Sequence, residues 1–349
     1  MPDDSGPPHI EIVDAELTNR PSVLLQVIFH RWVLRPAWGL LLFVLAFALV
    51  LRLELALVNP VLLHQGSPDT LNPHDILVPL LTLIAALVAT LLPSFFEQLR
   101  ALSYGFRGKP WIRFTVGLLT GGILAAGACA GLRMANVLVP IAPRAPWHAI
   151  LRQGAVWGSI FLMFALLEEL LTRSYVQYTL TRGLAYLYRR FLGLRTGIGA
   201  AFWTTAILTS MLFAWLYKEN PGQTDKGLAG LFALGMLYCW SLWRTGNLWW
   251  ALGFHAAWDF TQGFIFMMPD GGLPIRDHMY YWVAQGSPLL SGGTAGLDGS
   301  ILVYPIILVA VLSLLPFAPT RTYPELWRQA SRQTPKVEHY ETVPDPDRA

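Results

Sequence analysis

Eight uncharged, apolar stretches run through this chain, at 36–51, 76–96, 114–132, 154–167, 198–217, 227–243, 245–258 and 299–320. No other feature limits its folding so strongly. The hydrocarbon core of a bilayer is ~30 Å thick, and a helix needs about 20 predominantly apolar residues to cross it. The fourth and seventh stretches reach that length by continuing past Glu168–Glu169 and past Asp259. Lipid offers no water to the backbone, so every amide must be satisfied within the protein, and the stretches are expected to be helices, not strands. The expected fold class is therefore all-α, a polytopic membrane protein of about eight transmembrane helices with spans four to seven as its core. Composition agrees. Charged residues are 13% of the 349, about half the ~25% of an ordinary soluble domain.

The remaining global features exclude more than they assign. The formal net charge is +3, but no Lys/Arg cluster is dense enough to follow a phosphate backbone, so no nucleic-acid partner is expected. Cys129 and Cys239 both fall inside apolar runs and read as packing residues, not as a disulfide or a thiolate metal site. The first 30 residues lack an apolar core, so no cleavable signal peptide is expected. The chain divides into a polar tail at 1–30, a transmembrane domain at 31–320 and a second polar tail at 321–349. With the N-terminus inside, 18 of the 25 Lys and Arg residues fall on cytoplasmic segments. Basic residues favour the inner side, so both termini are expected in the cytoplasm, in a multi-pass protein of a bacterial inner membrane. Span three carries Gly117, Gly121, Gly127 and Gly131, whose four-residue spacing allows close helix approach. The stretch 184–195 mixes aromatics with arginines as an interfacial helix does, and 269–298, with glycine pairs at 271–272 and 292–293, reads as an irregular outer loop.

Charges within spans are costly, and they mark candidate functional sites. Two groups stand out: Glu168, Glu169 and Arg173 in EELLTR (168–173), and His255 and Asp259 in HAAWD (255–259). Glu169 and Arg173 are i,i+4 neighbours and can pair, whereas Glu168 points about a third of a turn away with no partner in its own helix. His255 and Asp259 share one helix face. Glu168 lies ~21 Å along a helix from Gly154 at the outer end of span four, and His255 ~12 Å from Asn247 at the inner end of span seven. Both arrive roughly 10 Å below the cytoplasmic surface of a ~30 Å layer. The two groups are therefore expected to meet.

At these residues the sequence resembles the CPBP family, the type II CAAX prenyl endopeptidases and their bacterial relatives linked to bacteriocin processing and immunity. EELLTR (168–173) is similar to the family's EExxxR motif and HAAWD (255–259) to its HxxxN/D motif, and the resemblance spans about 150–268. The second motif, FxxxH near an Asn-Pro-Gly turn, departs: Phe213 takes the Phe slot, Asn220-Pro221-Gly222 sets the register, and the His slot holds Tyr217. The resemblance implies that the missing His would work with the first Glu on a water molecule. Counted from residue 198, Tyr217 lies ~28 Å from the inner face. Either the span boundaries differ there, or Tyr217 stands outside the site.

What the resemblance implies is an intramembrane endopeptidase acting on a membrane-embedded or membrane-anchored peptide. For the chemistry of hydrolysis, Glu168 would take a proton from water, His255 would donate to the oxyanion, and Asp259 would either orient the imidazole or be protonated. Tyr217 is a further candidate in the site, and Glu169 with Arg173 would support it. Members of the family are often called metalloproteases, and Glu168, His255 and Asp259 could supply three ligands to zinc. No HExxH is present, and metal-independent chemistry with no cofactor is the preferred reading. Two alternatives come from other classes. One is a catalytically impaired relative that binds a membrane partner as an immunity or regulatory protein, favoured by Tyr217. The other is a proton-coupled transporter using Glu168, His255 and Asp259 as a relay.

Overall fold

The computed structural model describes residues 29–30, 33–57, 70–72, 76–97, 104–106, 110–193 and 197–317. The two polar tails expected at 1–30 and 321–349 lie almost entirely outside these residues.

Every one of the eight apolar stretches falls on a helix. Helix α1 is Pro36–Leu57, α2 is Leu77–Phe96 and α3 is Pro110–Met134. Helix α4, Trp147–Glu169, is joined to α5, Tyr175–Leu192, by a π-helical turn at Leu170–Ser174. Helix α6 is Gly197–Leu216, α7 is Asp225–Thr245, α8 is Trp249–Phe260 and α9 is Val303–Phe317. Among the described residues six spans are long and apolar enough to cross a membrane, with α4 and α5 counted as one 46-residue run and α9 counted from Gly293. This is an all-α polytopic membrane fold.

Helix α8 explains why the apolar stretches outnumber these spans. It has 12 residues, too few to cross alone, and Trp250 through Asp259 are all buried. A helix apolar on every side belongs in the middle of a bundle. It packs against α3 on one side and α4 on the other. The α3–α8 seam has almost no side chains between the backbones. A Cβ placed on Gly117, Gly121 or Gly253 would run into the carbonyl of Trp250, Phe254 or Phe114 respectively. The expectation for span three is thus corrected in part: Gly127 and Gly131 have nothing within 4 Å of such a Cβ and make no close approach.

Residues 184–192 are helical and form the second half of α5, which ends at Gly193, whose φ is +62°. The combined α4–α5 run is 46 residues, with a break at Ser174, whose ψ of −106° is not helical. Helix α6 then returns along α5, not along α4. One further expectation is corrected: the 269–298 connection is not irregular throughout. Strand β2 (Tyr281–Ala284) pairs antiparallel with β1 (Leu138–Ala142), and helical turns follow at Pro288–Ser291 and Gly293–Gly299.

Candidate active site

Glu168 and Glu169 close α4 where it passes into the π-helical turn. A π turn inserts one residue per turn and frequently sits at functional sites. A second one, Thr261–Ile265, directly follows α8 and its Asp259. Both charged motifs therefore stand at an irregularity of an otherwise regular helix.

Glu169 pairs with Arg173 at 2.8 Å, both side chains fully buried. The guanidinium also lies over the rings of Phe213, 4.4 Å from its centroid, and Tyr238, at 5.1 Å. A buried ion is costly unless paired, and here Glu169 Oε2 and Arg173 Nε and Nη2 still lack hydrogen-bond partners among the described residues. The same two rings hold His255, Tyr238 stacked on it at 4.9 Å and Phe213 edge-on at 5.7 Å.

His255 faces three carboxylates. Its Nε2 lies 3.4 Å from Glu168 Oε2 and 3.4 Å from Asp259 Oδ2, and its Nδ1 lies 3.3 Å from Glu169 Oε1. A proton on either ring nitrogen thus has an acceptor close by, which suits a residue that must hold and hand over a proton. The expectation that Glu168 has no partner holds only for its own helix. The Tyr217 hydroxyl donates to it, 2.7 Å from Oε1 and 2.8 Å from Oε2. Glu168 keeps 16% of its side-chain surface exposed, whereas Glu169 keeps none.

Tyr217 is accordingly inside the site, and the linear estimate that put it far away is corrected. The estimate assumed that α6 returns alongside a helix ending near Arg173. The chain instead runs on past the break at Ser174 through α5 to Leu192, and α6 comes back ~30 Å from Gly197 to Tyr217, which restores the level. All six residues singled out in the sequence, Glu168, Glu169, Arg173, Tyr217, His255 and Asp259, converge.

The sequence reading missed a layer beneath them. Gln262 Nε2 donates to Asp270 Oδ1 at 2.8 Å, and Asp298 accepts from Trp258 Nε1 at 2.9 Å and from the Gly271 amide at 3.1 Å. Burial, with the neighbouring Asp298 charge next in size, holds the Asp270 carboxyl well above the usual carboxylate range. Only the glycine pair 271–272 could have drawn notice, since Asp298 and Asp270 sit in what looked like an outer loop. A second buried cluster braces the flank. Arg182 pairs with Glu97 at 2.6 Å, and Tyr104 donates to the other oxygen of Glu97 at 2.9 Å. Burial, then the Glu97 charge, raises the Tyr104 phenol above its ordinary range, so it stays a neutral donor.

Among the described residues, no group of three or more His, Cys, Asp or Glu side chains is placed to hold a metal ion. The Tyr217 hydroxyl already engages both oxygens of Glu168.

Residues 151–261, about a third of the chain, match the family profile described as type II CAAX prenyl endopeptidase Rce1-like, a match consistent with a CPBP family protease. All six site residues fall within the matched segment. No curated protein and no solved structure shows significant similarity to the chain.

Proposed function

We propose that the protein is a membrane endopeptidase that hydrolyses a peptide bond with water activated by Glu168. One observation carries this reading: three motif positions far apart in the chain, Glu168, Tyr217 and His255, meet at the Glu168 carboxylate, which is still partly exposed. In the cycle, water oxygen attacks the peptide carbonyl while its proton passes to Glu168. His255 donates to the oxyanion from Nε2, beside Asp259, and is held in place at Nδ1 by Glu169. The C–N bond then breaks as Glu168 returns the proton to the leaving amine. Tyr217 orients the carboxylate from the side that an imidazole would occupy. The Glu169–Arg173 pair supports His255 from beneath and takes no part in proton transfer. No step needs a metal, and the substrate is a membrane-embedded or membrane-anchored peptide.

The second reading is an inactive relative that binds a membrane partner, and the phenol in the imidazole position favours it. Cleavage of a panel of membrane peptides by purified protein in nanodiscs decides between them. Wild type should cleave at least one peptide, and Glu168→Gln should reduce the rate about 10²-fold or more. Equal rates for the two proteins would overturn Glu168 as the base. A panel left whole by wild type and by Tyr217→His would favour the binding role.

A further inference from the structure

Tyr217 follows the last turn of α6, whose Phe213 meets its ring edge-on at 5.5 Å and fixes only that side of it. The ring is seated from outside. A Cβ on Gly271 would collide with Cδ1 and Cε1 of Tyr217, and Gly271 itself has a φ of +50°. Only glycine combines that backbone with so close an approach at low cost. The glycine is fixed at both ends of its peptide group. Its carbonyl accepts from Asn220 Nδ2 at 2.7 Å and from Gln223 Nε2 at 3.2 Å, and its amide donates to Asp298 Oδ2 at 3.1 Å. The next residue continues the clasp, with Gly222 N donating to Gly272 O at 3.0 Å.

Asp298 is 1% exposed. Its other oxygen takes Trp258 Nε1 at 2.9 Å, and Gln262 Nε2 reaches Oδ2 at 3.4 Å. Trp258 precedes Asp259 in the helix that carries His255. A continuous set of hydrogen bonds therefore runs from the HAAWD helix through Asp298 to the Gly271 turn, which presses the phenol onto Glu168. We infer that Asp298 is a positioning residue, which acts through the Gly271 turn to hold the Tyr217 hydroxyl on the Glu168 carboxylate. The inference rests on the hydrolytic reading of the site only for its effect on rate.

The test has two readouts on the full chain in nanodiscs. The first is the ¹⁹F resonance of 3-fluorotyrosine placed at position 217, recorded without peptide, with Glu168→Ala marking the released phenol. Asp298→Ala and Gly271→Ala should each move the resonance at least halfway toward that mark. Gly127→Ala, which meets nothing within 4 Å, should leave it in place. A resonance unmoved in folded Asp298→Ala would overturn the inference, and should that variant not fold, an unmoved resonance in Gly271→Ala does the same. The second readout is peptide cleavage. Asp298→Ala should lower kcat about as far as Tyr217→Phe, at least ~10-fold, with KM changed less than twofold. Adding it to Tyr217→Phe should cost no further rate, because the two changes break one hydrogen-bonded unit. Full additivity would overturn the inference. A moved resonance in a protein that cleaves nothing supports the seat and overturns the hydrolytic reading.

Discussion

Glu168 and Glu169 are neighbours in the chain with opposite surroundings, and opposite outcomes follow from removing their charges. Glu169 is buried against Arg173, so Glu169→Gln or Arg173→Ala leaves a buried ion unpaired, at a cost of about 3–5 kcal/mol. Both variants should lower the yield of folded protein, measured by size-exclusion profile and melting temperature. Glu168→Gln keeps the Tyr217 contact and should fold normally while losing cleavage. Exchanged phenotypes would place the base on the wrong glutamate. Tyr217 carries the second prediction at this scale. Its phenol, with an ordinary pKa of ~10, cannot serve as a base near neutrality as an imidazole can, so wild type should cleave slowly. Tyr217→His should raise the rate, by up to the 10²–10⁴-fold typical of general-base assistance, and Tyr217→Phe should lower it. Brisk cleavage indifferent to both changes would remove Tyr217 from the reaction. Glu168, Glu169, Arg173, His255 and Asp259 were legible in the sequence because an ionisable group in an apolar run stands out and i,i+4 spacing separates paired from unpaired groups. Tyr217 came only from the resemblance, with linear depth against it. Asp298 and Gly271 were not legible, since each looks like ordinary loop chemistry until the fold brings the loop under the site.

Elements show where sequence pattern stops. Apolar length located all eight helical stretches, yet it could not tell a lipid-exposed span from the central α8, whose shortness is offset by burial on every side. Nor could it reveal that α4 passes through a π turn into α5, because Arg182, Arg189 and Arg190 make the second half look interfacial. That one continuity moved Tyr217 from one end of the bundle to the other. Spacing flagged four glycines in span three, but only contact with another backbone separates Gly117 and Gly121 from Gly127 and Gly131. Gly253→Ala should therefore destabilise by ~1–3 kcal/mol or more, since overpacking here meets backbone that cannot repack. Gly131→Ala should be neutral or slightly stabilising, as for any helical glycine replaced by alanine. Thermal melts of the two variants in detergent would check the pair, and equal effects would refute the bare-seam account.

For the whole molecule, the eight-span reading of the sequence, which puts 18 of 25 Lys and Arg on the inner side, predicts both termini in the cytoplasm. Single cysteines at positions 5 and 334, in a background lacking Cys129 and Cys239, should resist an impermeant thiol reagent in intact cells. Both positions lie outside the described residues. Labelling of either from outside would invert the orientation, and with it the side from which peptides reach Glu168. Where the bundle can yield follows from the seam between α3 and α8. Two backbones in direct contact have no side chains to rearrange, so the wall bearing His255 and Asp259 behaves as a fixed frame. The opposite wall is softer. Met211, Trp215 and Leu216 at the end of α6 face outward, and Lys218 and Glu219 beyond them are largely exposed. Any doorway to the carboxylate should therefore swing on the α6 side while the imidazole side stays put. Amides in 211–223 should exchange with deuterium well before those in 250–259, and a substrate should slow only the former.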